Sequence, residues 1–316
     1  MENSIYTRFQ LKGLGALEKR FLEYVETTSK SSLKFEFLDT RTMARVIIDS
    51  PYVHRWTEIY RKRVLARFYK LQNWWFESGK PPVTMLTLTT YQGATQTALA
   101  ARGEKVTRED GLKILQSSWR KLRMMMRNRI LKRKYDYVYV MEHHKSGYGH
   151  MHVCIFDTLT VEEKERISKL WTEKYNAGSL EHGAVFSKER KDERIDTSGD
   201  GQPIRNRNDI KFVGFYLIKY LGKSFANPEE MSRGELTFAA LLWKLKIRQY
   251  NTSRHLAHIM MLDVDEPDER FKCIRVILLN EYGEERALTA MEKEEYDELV
   301  KEGLLRMRAS LDKYGQ

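Results

Sequence analysis

The chain has 316 residues, 41% of them hydrophobic and 31% charged, which is enough apolar material for one large domain or two small ones. Lys and Arg outnumber Asp and Glu by 55 to 44, a net of +11, and this excess favours a polyanionic partner, either nucleic acid or an acidic membrane surface. The membrane is set aside because no run approaches the ~18 apolar residues of a span and Met1-Glu2-Asn3-Ser4 opens no leader segment, and the distant Cys154 and Cys273 suit a reducing, cytoplasmic compartment without disulfides or a structural zinc site.

Residues 1–80 read as a helical, basic region. Arg55, Arg61, Lys62, Arg63, Arg67 and Lys70 lie among Trp56, Tyr60, Phe68, Tyr69, Trp74 and Trp75. Cations for phosphates beside flat rings for bases is how single strands are gripped. An amphipathic helix with a core of aromatics and solvated cations fits the same residues. Gly79-Lys80-Pro81-Pro82 then breaks the chain.

Residues 81–225 alternate strands and helices, as in an α+β domain. The stretch 83–89 is β-branched and alternating, which predicts a strand. A helix is expected over 107–133, with Thr107 as N-cap and Asp110 three residues on. Its later part carries Arg120, Lys121, Arg123, Arg127 and Arg129, then Lys132, Arg133 and Lys134, without one acid, and the first five are candidate DNA contacts. Two strands are expected over 135–142 and 149–156, joined by a turn around Ser146-Gly147-Tyr148, followed by a helix over 161–175 and a short strand over 183–187. The charged, turn-rich stretch 188–209 reads as a mobile loop, and a helix follows over 209–223. Beyond Asn227-Pro228, residues 226–316 read as mixed but mainly helical: helices over 235–250 and 289–311 and a strand over 271–279.

Gly149-His150-Met151-His152-Val153 holds the first chemical signal. Residues two apart on a strand share a face, so His150 and His152 present two imidazoles side by side. Two neutral imidazoles plus a carboxylate make a divalent-cation site with open positions. With the turn centred near Ser146, Glu142 lies across from His150 on the same face. His144 is a rival third ligand, and Cys154, of the same parity, fits a buried structural thiol better than a ligand. A histidine pair on a strand also arises by chance on ordinary sheet faces, and the motif that follows weighs against chance here.

In Phe212-Val213-Gly214-Phe215-Tyr216-Leu217-Ile218-Lys219-Tyr220-Leu221-Gly222-Lys223, a helical turn of ~100° per residue gathers Tyr216, Lys219, Tyr220 and Lys223 on one face. A phenol, with a pKa near ~10, is a poor nucleophile at neutral pH. Neighbouring lysines, and a cation bound to the phosphate under attack, both favour the phenolate. Leu221-Gly222-Lys223-Ser224 is no phosphate loop, because Leu217 stands where its first glycine is required.

Three motifs in this order resemble the HUH endonucleases, and most of all the rolling-circle replication initiators of small plasmids and single-stranded DNA viruses. They are Met85-Leu86-Thr87-Leu88-Thr89-Thr90, His150-Met151-His152, and the doubled Tyr-x-x-Lys of Tyr216–Lys219 and Tyr220–Lys223, which resembles the two-tyrosine subgroup. Relaxases place the tyrosine before the histidines, so the order argues against them. The resemblance covers about 140 residues and implies a central antiparallel sheet related to RRM and ferredoxin-like folds, flanked by helices, here with helical N- and C-terminal extensions. It also implies Mg²⁺ or Mn²⁺ at His150, His152 and Glu142, and nicking of single-stranded origin DNA at a hairpin or loop. The products would be a 5′-phosphotyrosine and a free 3′-OH in a prokaryotic host cell. Residues 226–316 carry no helicase signature, so a host helicase and polymerase would act in trans. Two other readings remain open: a two-tyrosine HUH transposase, and a non-catalytic DNA-binding protein that controls copy number.

Overall fold

The computed structural model describes residues 13–90, 106–143, 147–175, 177, 185–190, 196–197, 203–204, 228–261, 270–286, 300 and 303. The helix expected over 209–223 and the rival ligand His144 lie outside the described residues, as does nearly all of the helix expected over 289–311. In chain order the elements begin α1 (Ala16–Ser29), β1 (Ser32–Asp39), β2 (Arg45–Pro51), α2 (Glu58–Glu77), β3 (Val83–Leu88) and α3 (Arg108–Met125). They continue β4 (Tyr137–His143), β5 (Gly149–Ile155), α4 (Val161–Lys169), β6 (Val185–Arg190), β7 (Asp196–Thr197) and β8 (Pro203–Ile204). The last are α5 (Arg233–Leu245), β9 (Tyr250–Thr252), α6 (Arg254–Ile259), β10 (Phe271–Leu279) and β11 (Glu285–Arg286). The protein is α+β, with its two larger sheets antiparallel. Among the described residues no helix is long and apolar enough to cross a membrane.

The chain forms two compact units, one from residues 1–62, 227–229 and 261–316 and the other from 63–226 and 230–260. The first unit joins residues from the two ends of the chain. Its sheet runs β11-β10-β1-β2, with Phe35 opposite both Val276 and Ile48. Leu33, Phe35 and Phe37 alternate along β1 and pack with Tyr52, Phe271 and Leu278 in one core. The all-helical expectation for residues 1–80 therefore holds for α1 and α2 but fails between them. There the apolar period is two, and pairing with β10 buries that stripe.

The second unit is built on a five-stranded sheet in the order β6-β3-β5-β4-β9. Thr107 and Asp110 form the reciprocal capping box expected at the start of α3. Leu112, Leu115, Trp119 and Leu122 make the buried stripe of this helix, and Trp119 meets the rings of Tyr137 and Tyr139 edge-on. A Cβ on Gly149 would come within 2.6 Å of Leu112 Cδ2, so the absence of a side chain there lets α3 approach β5 beside the first histidine. At the far end of α3 a π-helical turn, Met126–Ile130, carries the helix on, and a second one, Leu170–Lys174, extends α4.

Two further expectations need correction. The helix expected over 235–250 stops at Leu245, where Lys246 adopts a left-handed backbone, and Tyr250–Thr252 joins the sheet beside β4. The stretch read as a loop over 188–209 contains the end of β6 and the small β7–β8 ladder. The aromatics of α2 are largely structural. Phe68 and Trp75 are buried, Phe68 packs edge-on against Tyr250, and Trp74 does the same against Phe156 and His255. Trp56 is buried against Phe21, which leaves Tyr69, 46% exposed, as the most open ring of the proposed single-strand grip.

Candidate metal centre

The β4–β5 hairpin sets the site. Glu142 pairs with His150 and Val140 with His152, a register whose centre is residue 146. Cross-strand partners project to the same face, so the carboxylate and both imidazoles emerge together. Tyr137, Tyr139 and Met141, of the other parity, project to the face that α3 covers.

The three donor atoms form a small triangle. His150 Nε2 lies 3.0 Å from His152 Nε2, and each nitrogen lies 3.2 Å from Glu142 Oε2. Two donors at right angles about a cation with bonds of ~2.1 Å stand ~3.0 Å apart, so the spacing matches one face of an octahedral shell. Two imidazole nitrogens and a carboxylate oxygen aimed at one point bring together lone pairs and negative charge. A divalent cation would satisfy all three at once. Glu142 is 6% exposed and His152 5%, while His150 is more open, so the buried donors are well shielded from water and the site keeps an accessible side. Behind the triangle, Thr87 of β3 stands opposite His152, with Oγ1 3.1 Å from Nδ1.

The neighbours of this group have other roles. Cys154, two residues beyond His152, is fully buried, and burial pushes its thiol pKa well above the ordinary range, which makes it inert. His143 has the opposite parity and meets Phe238 and Glu235 of α5.

The basic run lies elsewhere. Arg123 donates to the Tyr137 hydroxyl and sits 5.6 Å from that ring's centroid. Tyr137 is five residues from Glu142 along β4, about 16 Å at ~3.3 Å per residue, and projects to the opposite face. Arg120, Lys121, Arg127 and Arg129 are exposed on this same helical run, and Lys121 lies over the Tyr175 ring. Arg133, in contrast, is held by Asp157 and Glu163. The sheet thus separates the candidate DNA cations from the candidate metal ligands, and Arg123 is engaged by the fold. Tyr216, Lys219, Tyr220 and Lys223 lie outside the described residues. Thr87 was absent from the sequence-derived site. Its signal, a threonine alternating in phase with Val83 and Met85 on the Leu- and Thr-rich strand, acquires meaning only through the pairing of β3 with β5.

The aligned part of an "Uncharacterized 36 kDa protein" of Halobacterium salinarum is 22% identical over 155 residues. That alignment takes in 48% of this chain and 49% of the relative, so the chain spans about half the length of the curated relative it matches. No solved structure matches. A family model matches residues 36–284, which takes in both strands of the donor hairpin and Thr87. The chain belongs to the family described as "Putative rep protein (DUF1424)".

Proposed function

We propose that this protein is a replication initiator that nicks and rejoins single-stranded origin DNA by tyrosine transesterification. The observation that carries the reading is the convergence of Glu142, His150 and His152 on one point. The family description favours an initiator over a transposase. The doubled Tyr-x-x-Lys supplies the nucleophiles that such a reaction needs.

A bound Mg²⁺ or Mn²⁺ would supply Lewis-acid polarisation of the scissile phosphate and offset its charge. The residues that would hold it are Glu142, His150 and His152, and three protein donors leave positions for phosphate oxygens. The Tyr216 hydroxyl loses its proton and its oxygen attacks phosphorus. The bond from phosphorus to the 3′ oxygen breaks, and that oxygen takes up a proton to become a free 3′-OH. Tyr216 is left joined to the 5′ phosphate. Lys219 and Lys223 favour the phenolate and bind phosphate. Tyr220 repeats the attack on the regenerated origin, and the 3′-OH this frees attacks the first phosphotyrosine, forming a phosphodiester bond as the bond from phosphorus to the Tyr216 oxygen breaks and that oxygen takes up a proton. Strand separation and synthesis fall to a host helicase and polymerase.

The test is incubation with random single-stranded oligonucleotides and Mn²⁺, followed by mass spectrometry for tyrosine-linked DNA. The wild type is expected to form the adduct and Tyr216→Phe to lose most of it. Full adduct in Tyr216→Phe would transfer the first attack to Tyr220. A gel shift without any adduct would instead support a DNA-binding protein that does not cut.

A further inference from the structure

His152 reaches the donor triangle through Nε2, and its other nitrogen, Nδ1, faces Thr87 Oγ1 at 3.1 Å. A neutral imidazole carries one N–H, and only the nitrogen without it offers a lone pair to a cation. The partner of the second nitrogen therefore decides whether the first can act as a ligand. We infer that Thr87 is a positioning residue for the metal centre: its hydroxyl oxygen accepts the Nδ1–H of His152 and so holds the Nε2 lone pair toward Glu142 and His150. The inference rests on the metal reading of the triangle.

Three features favour threonine here. Thr87 and His152 are paired residues on adjacent interior strands, so the backbone ladder fixes their separation. A β-branched side chain on a strand has few rotamers, which holds the hydroxyl in place. His152 is nearly buried, which leaves little room for water to replace the threonine. Groups that orient metal-bound imidazoles in this way commonly contribute ~10–100-fold to metal affinity.

Thr87→Val keeps the shape and removes the hydroxyl, while Thr87→Ser keeps the hydroxyl. Mn²⁺ binding to the full chain, measured by calorimetry, is expected to weaken ~10–100-fold in Thr87→Val and to stay near wild type in Thr87→Ser. Histidine ¹⁵N spectra of the metal-free proteins should place the His152 proton on Nδ1 in the wild type and in Thr87→Ser, and shift it toward Nε2 in Thr87→Val. Should Thr87→Val fail to fold, Thr87→Ala serves in its place. Unchanged affinity together with an unchanged tautomer in the hydroxyl-free variant would overturn the inference. A wild type that ignores Mn²⁺ would instead overturn the metal reading beneath it, and the spectra would still decide whether Thr87 fixes the ring.

Discussion

Each unit of this protein buries a carboxylate on a strand, and the two keep different company. Asp39, 4% exposed at the end of β1, accepts from Arg270 Nε and Nη2 at 3.0 and 2.8 Å and from the backbone of Arg41 at 2.9 Å. Glu142 on β4 meets two imidazole nitrogens. A guanidinium brings a permanent charge in a fork that fits a carboxylate, so the first group is complete as folded. Imidazoles can be neutral, and neutral ones bring lone pairs, so the second group could hold a metal ion. The partner side chain, a guanidinium for Asp39 and imidazoles for Glu142, is what separates the two acids.

The most severe test of that contrast is His150→Ala with His152→Ala. Metal-dependent cleavage should fall about a thousandfold, equivalent to ~4 kcal/mol, while DNA binding persists in a gel shift. Undiminished cleavage would refute the ligand assignment. Next is Gly149→Val, which forces a side chain against Leu112 and should cost about 1–3 kcal/mol in chemical denaturation. A neutral result would mean that α3 does not need its close approach to β5.

Replacing Arg120, Lys121, Arg127 and Arg129 together by Gln should reduce the salt dependence of single-strand binding. If all four meet phosphates, the log–log slope drops by up to ~3, and cleavage at saturating DNA stays intact. Loss of cleavage at saturation would mean that these cations serve the chemistry directly, against their place behind the sheet. The smallest effect expected is in acid. The Arg270 guanidinium holds the Asp39 carboxyl well below the usual carboxylate range. A depressed folded pKa stabilises the native state above the unfolded value of roughly 3.9 and ceases to do so as the pH falls through the folded value. Arg270→Gln should therefore be less stable than wild type near neutrality, with the gap narrowing below about pH 4. A gap constant from neutrality into strong acid would assign Arg270 to packing instead.

Much of the second unit could be read from local pattern. Thr107 and Asp110 announced the start of α3, alternation announced β3, and the even spacing from Glu142 to His150 to His152 placed all three groups on one face. The limits were non-local. Leu33, Phe35 and Phe37 have a clear period of two, yet β1 acquires its core through β10, over 230 residues away. Thr87 gained significance only from its register with His152. The rings of α2 look alike in sequence, and only packing distinguishes buried Phe68 from exposed Tyr69.

The strands that carry the donors are interior ones, with β3 on one side and β9 on the other. β5 is laddered on both flanks, and β4 pairs with β5 along its length and with β9 over Val138–Val140, so backbone pairing holds the donor strands without an ion. This sets the centre apart from small zinc modules, which collapse when the metal is stripped. A chelator should leave hydrogen exchange at Met151 and Val153 as slow as before, and loading should need no refolding. A cation held by these three donors would come and go as a reagent while the sheet stays standing.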